Sequence, residues 1–282
     1  MPTRTPTPGP VEGADVIVTN TKTGDQYKTT TDKDGHYEIT VPAGNYTITI
    51  KYGSTETGGG KVNANKDTNA GTIKLPAALG KLVHAYIYGY PGGTFGGANN
   101  ITRMETAAII SRVAPGFDPA TKYPVSFSDV PAGIWYEANL GYCVRAGLIQ
   151  GRGNGIFDPG ANISRAEFAA IVARLMGLDN TPGESTFSDV RGNWAEGYIS
   201  RLADLGVLQG RGNGQFDPGA NITRSEAVAV VNRALSREPD KETLDTLAVN
   251  GTIFLKDVTD RNKWDYYHIL EAAFDHYHTE QK

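Results

Sequence analysis

Three short stretches carry one four-residue pattern: Thr102-Arg103-Met104-Glu105, Ser164-Arg165-Ala166-Glu167 and Thr223-Arg224-Ser225-Glu226. A hydroxyl followed three residues later by glutamate, at the head of an apolar run, marks a capped helix start. The hydroxyl accepts from the third helical amide, and the glutamate returns to the amide of the cap. Each such cap stabilises its helix by ~1 kcal/mol. The arginine has no part in that exchange. At the first helical position a cation is opposed by the helix dipole, so placing one there three times asks for a compensating gain. Outward-pointing amides and a guanidinium together suit an anion, and the guanidinium can grip a carboxylate through two parallel bonds. Arg103, Arg165 and Arg224 are therefore the leading candidate ligand contacts, with Thr102, Ser164 and Thr223 beside them. The competing reading is an ion pair with an acid of a neighbouring unit. Glu105, Glu167 and Glu226 read as structural.

The pattern sits inside a longer repeat. Residues 127–175 and 187–235 align from "FSDV" through "GRGNG" and "FDPGAN" to the capped run. Each reads as helix, glycine-rich loop, helix. Arg152 and Arg211 in the loops are secondary candidate contacts. Gly153 and Gly212 require positive φ and allow close backbone approach. Asp129 and Asp189 are expected to cap the first helix of each unit or the turn before it. Trp135 and Trp194 open that helix and read as core packing, the alternative being a ring that stacks on a sugar face. Arg112, Arg174 and Arg233 recur nine residues after the leading arginines. At ~100° per residue that is the opposite helix face, so they are set aside as structural.

A third copy is split. Its back half occupies residues 84–113, with Tyr90 in "GYPGG". Its front half, "FLKDVTDRNKW" with Asp257 and Trp264, ends the chain. A half-unit would leave an apolar face in water. The C-terminal helix is therefore expected to complete the first copy, giving an all-α bundle with pseudo-threefold symmetry.

Upstream, residues 10–75 alternate apolar and polar positions between "KTGD", "DKDG" and "PAG" turns, as in a small antiparallel β-sandwich. Asp32 and Asp34 offer too few oxygens for a calcium loop, and no metal or cofactor is expected. The five histidines lack metal spacing; His276 and His278 are placed on the tail helix, on different faces. A net charge of −4 argues against a polyanion-binding protein. One cysteine excludes an internal disulfide framework. No apolar run is long enough to span a membrane. The Pro/Thr-rich residues 1–9 read as a linker without signal-peptide features, so the chain is expected to be a piece of a longer secreted protein.

The repeats, with "FSDV…W", "GxGNGxFDP" and "ITRxE"-like motifs, resemble a trio of S-layer homology domains. The β part, through "GADVIVTNTKTG" and "TTTDKDGHYEITVPAGNYTITI", resembles the transthyretin-like carboxypeptidase regulatory-like fold and B-type surface repeats. The organisation expected is a sandwich at 10–75, a first repeat at 81–122, a second at 123–180, a third at 181–238, and at 250–282 the half that completes the first. The first resemblance implies non-covalent anchoring to the bacterial cell wall by an extracellular, monomeric, non-enzymatic module. It also implies a secondary cell-wall polysaccharide as partner, commonly ending in N-acetylmannosamine with a pyruvate ketal, whose carboxylate the arginines would meet. Arg152, Arg211, Gly153, Gly212 and Tyr90 would then approach the sugar. The competing classes are a glycan-acting enzyme fragment, through acids such as Asp129 and Glu167, and a protein-binding module through the edge strands of the sandwich.

Overall fold

The computed structural model describes residues 13–32, 37–52, 55–64, 71–74, 82–181, 183, 185–249 and 251–278. The predicted linker at 1–9, Asp34 and the passage at 75–81 lie outside them.

The N-terminal strands are β1 (Asp15–Asn20), β2 (Gln26–Thr30), β3 (Glu38–Val41), β4 (Gly44–Tyr52), β5 (Thr55–Ala64) and β6 (Gly71–Lys74). They form a four-stranded antiparallel sheet in the order β2-β1-β4-β5, and β3 pairs with β6. The register sets Val16 opposite Ile50 and Val18 opposite Ile48. With side chains alternating by two, these four share one face, and they pack with Ile39, Val41 and Tyr46 in one core. In the "KTGD" turn the Asn20 carboxamide oxygen accepts from the amides of Lys22 and Thr23.

Seven helices follow among the described residues: α1 (Arg103–Val113), α2 (Glu137–Arg145), α3 (Arg165–Leu175), α4 (Glu196–Asp204), α5 (Arg224–Ala234), α6 (Lys241–Val249) and α7 (Tyr266–Ala273). They pair as α1 with α2, α3 with α4, and α5 with α7. The chain divides into two compact units. One holds Tyr86–Glu238 and Leu255–Ala273; the other holds the residues through Ala85, with Pro239–Phe254 and the segment from Phe274 onward. The segment expected as a single half-repeat at 250–282 is thus divided between them.

Two features of the tail differ from expectation. Helix α6 was not predicted; Asp240, directly after Pro239, accepts from the Thr243 amide and starts it. His276 and His278 are not helical. The helix ends at Ala273 and the chain runs on through β8 (His276–Tyr277), which pairs with β7 (Leu82–Val83). Extended chain brings residues two apart to one side, and the two rings lie 5.2 Å apart.

Candidate functional site

Helices α1, α3 and α5 each begin with a complete capping box. Thr102, Ser164 and Thr223 accept from the amides of Glu105, Glu167 and Glu226, and each glutamate accepts from the cap amide. The next two amides are also occupied. Arg103 donates to Ala161 and Met104 to Pro159; Arg165 to Ala220 and Ala166 to Pro218; Arg224 to Asn99 and Ser225 to Gly97. The expected anion site at exposed helix amides is therefore absent, because the loop of another copy fills it. Thr102, Ser164 and Thr223 are engaged in the caps and do not line a groove.

The arginine side chains make the same connection. Arg103, Arg165 and Arg224 are only 3%, 5% and 2% exposed. Nε–H donates to Phe157, Phe216 and Phe95 carbonyls at 2.8, 2.8 and 3.0 Å. Nη2 donates to Gln150, Gln209 and Tyr88 carbonyls at 2.7, 3.0 and 2.8 Å. Nη1 lies 3.5, 3.3 and 3.0 Å from Glu167, Glu226 and Glu105. The first copy thus reaches the second, the second the third, and the third the first. The ion pair with a neighbouring unit, held as the competing reading, is present in all three. Burial pulls the Arg103 and Arg165 guanidinium pKa values down, opposed by Glu167 and Glu226 respectively; both stay charged at neutral pH.

The aspartates act across the loop and do not cap a helix. Asp129 accepts from the amides of Phe157 and Asp158, Asp189 from those of Phe216 and Asp217, and Asp257 from those of Phe95 and Gly96. Helices α2 and α4 have no side-chain cap. Burial opposes ionisation of these aspartates, but the amide bonds outweigh it and hold all three carboxyls below the ordinary value. The match of Asp257 with its two counterparts places the C-terminal segment on the first-copy loop. There Leu255, and not Phe254, stands where Phe127 and Phe187 stand.

Three grooves of about 410, 340 and 280 Å³ result. The first is lined by Tyr88, Gly89, Tyr90, Glu105, Arg112, Trp135 and Arg224. The second has Gln150, Gly151, Arg152, Glu167, Arg174, Trp194 and Arg103. The third has Gln209, Gly210, Arg211, Glu226, Arg233, Trp264 and Arg165. The tryptophans are 59%, 56% and 61% exposed. Their expected place in the core is overturned: each stands over a groove. Arg112, Arg174 and Arg233 also line grooves, although they were set aside. Their helical angle was read correctly, but each helix is flanked by two grooves, so opposite faces serve different ones.

Arg152 and Arg211 are exposed at the grooves. Arg152 donates Nη1–H to Glu167, and Arg211 Nη1 is ion-paired with Glu226, each at 3.1 Å and each on the glutamate that also meets a buried arginine. Tyr90 takes their place in the first groove, its hydroxyl donating to Glu105 at 3.1 Å. Gly153 and Gly212 sit at the positive-φ turns, with φ of 95° and 94°, and do not line the grooves. Gly151 and Gly210 do, and sequence reasoning passed over them. A Cβ at Gly151 would come within 2.6 Å of the Phe127 ring and 2.7 Å of the Ile156 carbonyl. The signal was the first glycine of "GRGNG", conspicuous only once its neighbours are known.

Two family models match. The S-layer homology domain model matches residues 84–107, 126–169 and 186–228, and the carboxypeptidase regulatory-like domain model matches 3–76. Cell surface glycoprotein 1 of Acetivibrio thermocellus is 33% identical over 72% of this chain and 9% of its own length. The cellulosome-anchoring protein of the same organism is 31% identical over 72% of this chain and 45% of its own length. An S-layer protein of Bacillus thuringiensis subsp. finitimus is 34% identical over 54% of this chain and 17% of its own length. The chain therefore spans less than half of each of these relatives.

Proposed function

From a chain that carries three S-layer homology segments behind a carboxypeptidase regulatory-like domain, we propose an anchor that binds pyruvylated secondary cell-wall polysaccharide in its grooves. The chain is an extracellular, cell-wall-associated protein, and anchoring to the wall is the role of its repeats. The observation that carries the finer reading is an exposed tryptophan in each of three grooves, standing in two of them beside an arginine pair held on one glutamate. The indole offers a flat apolar face to a sugar ring. The guanidinium groups complement a carboxylate on an otherwise neutral sugar. Arg152, Arg174, Arg211 and Arg233 are the cations proposed to meet it, above the buried Arg103 and Arg165.

The cyclic hand-over of arginines supports a pseudo-threefold arrangement in which residues 81–122 and the C-terminal segment form one repeat, 123–180 a second and 181–238 a third. The sandwich at 10–75 serves as spacer. The acids considered for glycan hydrolysis are all held in backbone bonds, caps or ion pairs, which favours binding over catalysis. Calorimetry with purified wall polysaccharide, before and after removal of its pyruvate, tests the reading. Binding should weaken at least tenfold without pyruvate, a loss of about 1.4 kcal/mol. Equal affinity for both forms refutes the carboxylate–arginine contact, and turnover of wall glycan by the chain refutes the non-enzymatic role.

A further inference from the structure

We propose that the three grooves divide the ligand between them. The Trp135 groove takes an uncharged sugar residue by its ring faces, and the Trp194 and Trp264 grooves take acidic ones. This rests on reading the grooves as glycan sites. Two equivalent positions carry the inference. Gln150 and Gln209 correspond to Tyr88: all three backbone carbonyls accept from Nη2 of a buried arginine. Arg152 and Arg211 correspond to Tyr90: all three place a polar atom 3.1 Å from the equivalent glutamate Oε1. The backbone frame is thus shared while a polar and a cationic side chain give way to two aromatic ones.

The consequence is electrostatic and steric together. The Trp194 and Trp264 grooves each set three arginines against one glutamate. The Trp135 groove sets two arginines against one glutamate, and both are covered by rings. Arg112 lies over Tyr88 at 4.6 Å, and Arg224 over Tyr90 at 4.4 Å. Burial raises the Tyr90 pKa, against the opposing field of Arg224, so the phenol remains neutral. Exposed Tyr88 and Trp135, with Tyr90, give an aromatic lining suited to the C–H faces of a sugar. A ligand carboxylate there would be desolvated and would lack the exposed guanidinium that the other two grooves provide.

The chain has three tryptophans, one in each groove, so indole N–H resonances report the grooves separately. The 15N-labelled chain would be titrated with a synthetic N-acetylhexosamine disaccharide, with and without a terminal pyruvate ketal. Trp135 should respond to the neutral sugar with affinity at least tenfold above that for the acidic one; Trp194 and Trp264 should show the reverse. Tyr90→Arg should move Trp135 to the acidic sugar by tenfold or more. Should that variant fold poorly, Arg152→Tyr should move Trp194 toward the neutral one. A Trp135 signal that prefers the acidic sugar, or answers neither, overturns the proposal. A Trp135 response to the neutral sugar with silence at Trp194 and Trp264 would refute the pyruvate reading and overturn the acidic half of the division, leaving only the assignment of the Trp135 groove.

Discussion

Arg103 donates to carbonyls 54 and 47 residues away in sequence, so its loss reaches well beyond one helix. Arg103→Ala would remove the guanidinium donors of the Phe157 and Gln150 carbonyls and one of the two cations on the Glu167 carboxylate. Breaking a buried charged pair from one side costs about 3 kcal/mol; urea denaturation should register that loss, and any binding defect would follow from it. Trp194→Ala separates the two effects. An exposed side chain away from such features leaves stability within about 0.5 kcal/mol, while glycan affinity should fall about tenfold or more. The aspartates set the acid limit. Because the native carboxyls of Asp129, Asp189 and Asp257 are held below the ordinary value, their contribution is present above the unfolded carboxyl pKa of about 3.9. It is lost as pH falls through the lower native values. Melting temperature should therefore drop in acid below about pH 4, and Asp129→Asn should soften that drop. The importance of the leading arginines was legible from type and spacing. An acid of a neighbouring unit was the competing reading, but which acid, and the carbonyls beside it, were not legible, because a guanidinium reaching into the next copy leaves no mark near its own position. The tryptophans misled for a different reason: a large apolar side chain is usually buried, and these three stand exposed.

Helices α1, α3 and α5 were legible because a capping box acts within four residues, a distance a sequence displays directly. Ser164→Ala should cost ~1 kcal/mol, read from the same urea curves. Gly151 shows the opposite case. Its φ is not in the left-handed region; the constraint is space, set by Phe127 from before α2 and by Ile156 from the returning strand of the loop. Gly151→Ala should destabilise by about 1–3 kcal/mol through overpacking. A thermal melt identical to the parent would show that the loop can yield. The arginines set aside near the helix C-termini failed for a geometric reason: periodicity gives the angle of a residue around its own helix and says nothing about what lies on each side. Helix α6 was missed because its strongest signal, Asp240 after a proline, resembles an ordinary turn.

In the helical unit, α7 packs on α5 with Ile269 and Leu270 buried, and Asp257 holds the loop of the first copy. Ending the chain at Phe254 would remove about 2 kcal/mol for each of those two side chains, besides the aspartate bonds. That sum approaches the whole stability of a typical domain, so the cooperative helical transition seen by circular dichroism should be lost; an unchanged melt would show that the last segment is dispensable. The β–α division of the molecule was plain from the switch of hydrophobic period; the C-terminal helix, expected on the first copy, packs on α5 of the third. The strand pairing of β7 with β8 has a topological meaning. Ala85 donates its amide to Asp275 at 2.6 Å, and Tyr86 to the Ala272 carbonyl at 2.9 Å. Entrance and exit of the helical repeats are neighbours, so in the pseudo-threefold arrangement proposed above the order in which the chain visits its three copies would be a matter of where the circle is cut. Joining the ends at β7 and β8 and reopening the chain near residue 183 would give a circular permutant with the second copy now split from the third, and the same grooves.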